Sequence, residues 1–516
     1  MKNNDKLNDV VRAAELEQLQ ILDRLFTPIV LDARERLRRQ TDAKRYDLLT
    51  ADAHAGWEDY LLRRLRFVGK KVVDQRFQVF CSARSAFSWP RGEQPAPESA
   101  VRLEFVGGQP AQRLREILGE FPGLARICAT LATNWIATVC EFLERLSRDL
   151  AEFSRHFGDE TFDHPVHELE AGLSDPHRGG RCVVRIGFRS STSLIYKPRS
   201  VAPEVHFARL LQRLNAEGIP HTFKGVRCWD REEYGWMEEV VPRSCSDQAD
   251  LHAFYWRAGA LLALVYLLRG VDIHRENLIA DGDQPMLIDL ETLWHPQEHI
   301  GVEDHPVAHT VLRTGFLPLS NPHSGVNYEQ GAFGHRSAHS WKATGHLPTL
   351  AEKTYPATEF LPDILAGFRW IGAQFFEERQ PGGNFQPWLQ SLVRCRRRRI
   401  LRSTSWYRSV IERMLLPTSL RHVVSQSTGH LDGSQDDAPM TEDERWSLLQ
   451  MDVPYFEQTD GYEWGREVKL PVQNIEAFLK QETIVINAFA PAANEGGLRQ
   501  TTAGVYHHGG ISVQST

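Results

Sequence analysis

The sequence predicts an α+β fold in two lobes, with extra helical regions at both ends. Three observations lead there. Residues 1–165 place apolar side chains at helical spacing between charged faces. From about residue 175 the pattern changes to short apolar strands around one amphipathic helix. A long apolar helix, residues 250–270, then runs into GVDIHRENLIADGDQPMLIDLET, residues 270–292, where acids, a histidine and a carboxamide concentrate.

At 516 residues the chain has room for three or four domains, at ~150 residues each, or for one large enzyme with insertions. Hydrophobic residues make up 41% and charged residues 25%, enough apolar material for a substantial core. The net charge of −7 gives no reason to expect nucleic acid or a membrane as partner. No apolar run comes near the roughly 20 residues that span a bilayer. The polar N-terminus lacks a signal-peptide core. The seven cysteines are scattered and form no CxxC, so reduced thiols in a cytoplasmic protein are expected.

The expected regions follow in order. Residues 1–165 are mostly helical, with a loop at FSWPRGEQPAPES, residues 87–99, marked by three prolines. Residues 166–245 hold strands at 182–188 and 193–196, a helix at 202–218 and a strand at 234–241, with Lys197 near the end of the second strand. Strand, strand with lysine, helix and strand pair is the order of a kinase small lobe. Residues 246–345 follow large-lobe order: the long helix, the Asp272 loop, then a segment rich in Gly, His and Ser from 301 to 345 where an activation segment would lie. Residues 346–490 form a helical extension, with helices in 361–379 and 475–489 and an exposed linker at 427–444. Residues 491–516 read as a flexible tail.

Asp272-x-His274-x-x-Asn277 puts a carboxylate, an imidazole and a carboxamide on one tight loop, and the apolar run Met286–Ile288 ends in Asp289-Leu290-Glu291. An ATP phosphotransferase needs such a set. One Asp positions or deprotonates the acceptor hydroxyl, while an Asn and a strand-end acid hold Mg2+, which bridges the phosphates. Asp272 and His274 are therefore catalytic candidates; Asn277, Asp289 and Glu291 are candidate metal and cofactor ligands. Asp289 and Glu291 alternate, so both face one metal only where the strand bulges or ends. Lys197 is the candidate for nucleotide phosphates, with Glu204 in the next helix as its expected partner. Asp175 and His177, in SDPHRGG, read either as a turn or as acid and base groups. Six arginines within residues 394–402 read either as a solvated face or as an anion site.

The motifs SDPHRGG, LIYKPRS, GVDIHRENLI, LIDLETLW, HTVLRTGFLP and RRILRSTSWY together resemble the dehydratase half of class II lanthipeptide synthetases, the LanM family. The resemblance covers roughly residues 165–490. It implies a catalytic domain similar to lipid kinases. That domain phosphorylates Ser and Thr of a leader-bearing ribosomal precursor peptide with ATP and Mg2+, then eliminates the phosphate to leave dehydroalanine or dehydrobutyrine. By position, Lys197 matches the nucleotide-phosphate lysine, Asp272, His274 and Asn277 the catalytic loop, and Asp289 and Glu291 the metal acids. Asp175 with His177, and Arg398 with Thr404, match two pairs implicated in elimination. The resemblance leaves the elimination base open.

Full LanM enzymes carry a further LanC-like zinc cyclase domain. This chain ends before it, so the resemblance implies either a truncated sequence or a stand-alone dehydratase, which makes no thioether rings. Its expected partners are the precursor and other enzymes of the same pathway. Two rival readings stand beside it: a kinase that stops at phosphorylation, and a pseudo-kinase module that only binds the precursor.

Overall fold

The computed structural model describes residues 22–87, 98–158, 162, 165–190, 192–295, 309–318, 331–334, 345–376, 385–422, 439–459, 469–472 and 474–489, with the backbone of a hairpin near the C-terminus. They form two compact units: residues 1–198 with 402–455, and residues 199–401 with 456–516. The division falls between Pro198 and Arg199, inside YKPR, and so cuts across the expected small lobe. The expected helical extension, 346–490, is likewise shared between the units.

The first unit is built on long helices, residues 22–40, Ala51–Phe87 and Pro122–Asp149. Their apolar faces bury Phe26, Trp57, Leu65, Phe142 and Leu146. The Trp135 Nε1–H donates to the Trp57 carbonyl at 2.8 Å and fastens the last two helices together. Three antiparallel strands follow: Glu168–Ala171, Val184–Gly187 and Ser193–Lys197, in register Glu168↔Gly187 and Val184↔Tyr196. The first strand was not expected from the sequence. It lies directly on the helix backbone: a Cβ on Gly56 would sit 1.9 Å from the Leu169 carbonyl oxygen. The helix Glu442–Leu449 starts inside the segment expected to be a linker. Thr441 and Glu444 cap it reciprocally, a box legible as TEDE. One helix among the described residues, Pro122–Phe157, is long and apolar enough to cross a membrane, and 56% of its most apolar window is buried in the protein.

The second unit centres on the helix Gln248–Leu267. It is apolar on every face because every face is covered. Asp247 caps it by accepting from the Asp250 N–H at 3.0 Å. Its partner is the helix Leu361–Phe376. A Cβ on Gly259 would lie 1.9 Å from the Ile364 carbonyl oxygen, and one on Gly367 would lie 1.9 Å from that of Trp256. Glycine on both helices lets the backbones touch. Around this pair stand the helix Ala202–Ala216 and the hairpin Leu278–Asp281 with Gln284–Leu287, and a second hairpin, Cys228–Asp230 with Gly235–Glu238, packs on the helix Ala202–Ala216.

Three further expectations need correction. The arginine run is not simply a solvated face. Arg397–Arg399 is a strand paired with Phe456–Gln458, and Arg397 is buried, donating to the Val393 and Cys395 carbonyls. The helix expected at 475–489 is two helices, Ile475–Leu479 and Gln481–Ala488. The tail carries an antiparallel hairpin, Val505–His508 with Ile511–Gln514. The proline-rich loop at 88–97 and most of 301–345 lie outside the described residues.

Candidate active site

The long helix of the second unit delivers its C-terminal end to the Asp272 loop. Asp272 sits at φ 62°, a left-handed conformation that Asp tolerates better than most residues. The loop is tied down on three sides. Ile273 N–H donates to the Thr314 carbonyl at 2.9 Å, and a Cβ on Gly315 would lie 2.9 Å from Ile273 N, so HTVLRTGFLP buttresses the loop. Thr292 Oγ1 donates to the Val271 carbonyl. Asn277 Nδ2 donates to the Asp272 carbonyl at 2.7 Å, and the Ile288 N–H donates to the Asn277 carbonyl at 3.1 Å. The last bond continues the hairpin ladder beyond Leu278↔Leu287 and brings Asn277 to the residue before Asp289. With both bonds made, the Asn277 amide oxygen is the acceptor available to a cation. Glu276 N–H donates to His274 Nδ1 at 3.2 Å, so a neutral His274 carries its proton on Nε2.

Asp272 keeps an exposed face, yet the protein packed around it removes enough water to raise its carboxyl above the ordinary aspartate value. Glu291 and Asp289 push the same way, while His274 and Arg398 oppose them. A raised carboxyl suits a group that must take up a proton during a reaction.

The strand ends at Leu287, and beyond it Asp289 and Glu291 reach one cation. That cation is the guanidinium of Arg199: Nη2 lies 2.6 Å from Asp289 Oδ1, and Nε lies 2.7 Å from Glu291 Oε2. Its Nη2 also lies 2.6 Å from Glu204 Oε1. Glu204, expected to partner Lys197, is an ion-pair partner of Arg199. Arg199 and Glu204 are both buried. Arg398 holds Glu291 from the other side, at 2.8 Å through its side chain and 2.7 Å through its backbone N–H. Asp272, Glu204, Asp289 and Glu291 make an acid-rich set around two guanidiniums. Among the described residues no group of three His, Cys, Asp or Glu is arranged to hold a metal unaided. Mg2+ does not need one: it is held by one or two carboxylates with substrate phosphates. Asn277, Asp289 and Glu291 fit that donor set, since both acids already converge on a single cationic centre.

Asp175, His177, Lys197 and Thr404 fall in the first unit. Lys197 ends its strand and is buried, 4% exposed. His177 Nδ1 lies 2.6 Å from the Val453 carbonyl oxygen. Only an N–H can make that bond, so the neutral ring keeps its lone pair on Nε2. Asp175 Oδ1 accepts from Arg408 Nη2 at 2.6 Å. Arg408 stands one turn after Thr404 on the helix Thr404–Met414, which Ser403 caps. The ion pair therefore draws the Thr404 helix to the SDPHRGG loop. Arg398, paired with Thr404 by resemblance, lies in the second unit, where its side chain binds Glu291.

Two segments of the chain, residues 121–346 and 335–459, match the family described as Domain of unknown function (DUF4135), and together they span more than half of the sequence. The chain belongs to the DUF4135 family. It is also 30% identical over 156 residues to the Lacticin 481/lactococcin biosynthesis protein LcnDR2 of Lactococcus lactis subsp. lactis. The matched stretch takes in 27% of this chain and 17% of that relative, so the chain spans only a small part of the relative's length.

Within this DUF4135 chain, sequence reasoning passed over three residues that organise the candidate groups. Arg199 was in view as part of LIYKPRS, and its place two residues after Lys197 was the available signal. Arg408 had a weaker signal, its i,i+4 spacing from Thr404. Asp452, in MDVPYF, had none: it reaches the SDPHRGG loop from more than 270 residues away.

Proposed function

We propose that this chain modifies Ser and Thr of a ribosomally made precursor peptide, first phosphorylating the hydroxyl and then expelling the phosphate to leave dehydroalanine or dehydrobutyrine. The observation that carries the proposal is the convergence of Asp289 and Glu291 on one cationic centre, with Asp272 and Asn277 on the adjoining loop. The reading takes the chain as a kinase-like catalytic domain with helical additions. The succession of Lys197, the Glu204 helix, a strand pair, the long helix, the Asp272 loop and the strand-end acids supports it. The similarity to a lantibiotic biosynthesis protein supports a peptide substrate.

ATP with Mg2+ would supply the phosphoryl group and the charge that neutralises it in transfer. Asp272 accepts the proton of the attacking hydroxyl as that oxygen bonds to the terminal phosphorus and the phosphorus–bridging-oxygen bond breaks, releasing ADP. Asn277, Asp289 and Glu291 offer the oxygens that orient the cation, and Lys197 offers a point charge to the phosphates. Elimination follows because phosphate leaves where hydroxide does not. His177 Nε2 takes the α-proton, the C–H pair becomes the Cα–Cβ double bond, and the Cβ–O bond breaks toward phosphate. Asp175, Thr404 and Arg398 belong to this second step, the arginine as a cation for the departing charge.

The test is mass spectrometry of a leader-bearing, Ser- and Thr-containing precursor peptide, sought among the neighbouring genes, after incubation with the chain, ATP and Mg2+. A peptide that gains a phosphoryl group and then loses water is the expected result. An unchanged peptide, under conditions where the nucleotide binds, sinks the proposal.

A further inference from the structure

The first unit holds a buried carboxylate that the proposed chemistry does not use. Asp452 is 0% exposed. Its Oδ2 accepts from the Gly179 N–H at 2.6 Å and the Gly180 N–H at 2.9 Å, and its Oδ1 accepts from Arg64 Nη2 at 2.9 Å. Arg178, Gly179 and Gly180 have φ of 47°, 86° and 83°, so successive amides curl around the carboxylate. This is a backbone nest, a concavity that binds anions. Here the anion is built into the chain. The left-handed φ favours glycine at the floor of the nest, and a Cβ on Gly180 would also displace Arg64 Nη1, 2.6 Å away. Tyr60 OH and Thr138 Oγ1 hold the same two residues by their carbonyls, at 2.9 and 3.0 Å.

The neighbouring residue completes the grip. Val453 N–H donates to the Pro176 carbonyl at 2.9 Å, and the Val453 carbonyl accepts from His177 Nδ1 at 2.6 Å. Two adjacent residues thus hold the SDPHRGG loop by its backbone and by its ring. We infer that Asp452 is the positioning residue of His177: by filling the nest it keeps the Val453 carbonyl where that carbonyl dictates which ring nitrogen bears the proton. The inference rests on the reading in which His177 serves elimination.

Full-length chains carrying Asp452→Asn and Asp452→Glu test it, with isotope-labelled histidine and with His177→Gln to identify the His177 ring signals. The parent shows the Nδ1–H tautomer. Asp452→Asn shows mixed tautomers, and its Gly179 and Gly180 amides exchange at least ~tenfold faster. Asp452→Glu recovers part of both. With the precursor peptide that the parent modifies, ATP and Mg2+, the ratio of phosphorylated to dehydrated peptide rises at least ~tenfold in Asp452→Asn, because a small misplacement of a reacting group is costly. Phosphoryl transfer itself changes by no more than about threefold. Arg64→Gln leaves the nest filled and removes the counter-cation together with its bond to the Met451 carbonyl. It gives smaller shifts in the same direction, and serves if Asp452→Asn does not fold. The inference is overturned if Asp452→Asn keeps the parent's tautomer and product ratio, or loses both chemical steps equally. If the parent itself leaves the peptide unchanged, the functional reading falls, and the ring signals alone still decide the role of Asp452.

Discussion

Asp175-Pro176-His177 in the first unit and Asp272-Ile273-His274 in the second share one spacing, yet their rings are wired in opposite senses. His177 gives its Nδ1–H to a carbonyl and keeps a lone pair on Nε2. His274 receives an amide N–H at Nδ1 and keeps a proton on Nε2. The acids differ as well. Asp175 is pinned by an arginine, whereas Asp272 is crowded by other carboxylates and partly stripped of water. Spacing brings an acid and an imidazole onto one loop; which nitrogen the backbone claims decides whether that imidazole gives or takes.

The sharpest break of this comparison is Asp272→Asn. On the proposed reading it removes the proton acceptor, so phosphorylation is expected to fall about 10²–10⁴-fold and dehydration with it, read by mass spectrometry of the precursor. In the parent, phosphorylation is lost as pH falls through the raised Asp272 value, which lies above the ~3.9 of an ordinary aspartate. The stability effect has the opposite sense. A carboxyl raised in the folded state binds its proton more tightly there than in the unfolded chain. It therefore subtracts stability as pH rises from the ordinary value through the raised one. Asp272→Asn removes that cost, so above this window the inactive variant melts no lower than the parent.

Exchanging the histidines sharpens the contrast. His177→Gln leaves phosphorylation in place and lets phosphopeptide accumulate, with dehydration slowed ~10²-fold or more. His274→Gln slows phosphorylation itself and accumulates no phosphopeptide. Identical product profiles for the two variants would refute the opposed wiring.

Arg199→Met acts on one side of the comparison only. It leaves the buried Glu204 without the Arg199 guanidinium and half-buried Glu291 still paired with Arg398, a loss of about 3–5 kcal/mol. Denaturant unfolding measures it, and added Mg2+ narrows the gap. Gly259→Ala has the smallest effect, about 1–3 kcal/mol from forcing apart backbones that touch. It lowers the melting temperature while leaving the His177 ring signals unchanged.

Much of this was readable in the chain. The helices Ala202–Ala216 and Gln248–Leu267 and the strands around Lys197 lie near their expected places because local periodicity fixes them. The Asp272 set was legible because its members lie within about 20 residues of one another. What escaped was long-range. Arg397 looked like surface charge, and only the fold supplies the carbonyls and the strand Phe456–Gln458 that bury it. The contact of Arg398 with Glu291 spans 107 residues and had no signal in the sequence. Asp452 looked like one acid among many until the nest at Gly179 and Gly180 enclosed it.

Arg199 has a practical corollary. A tethered positive charge already sits among Glu204, Asp289 and Glu291, so these acids need no dissolved ion to keep them from repelling one another. Purification in a chelating buffer would leave the scaffold intact, and competence would return on adding magnesium without any refolding.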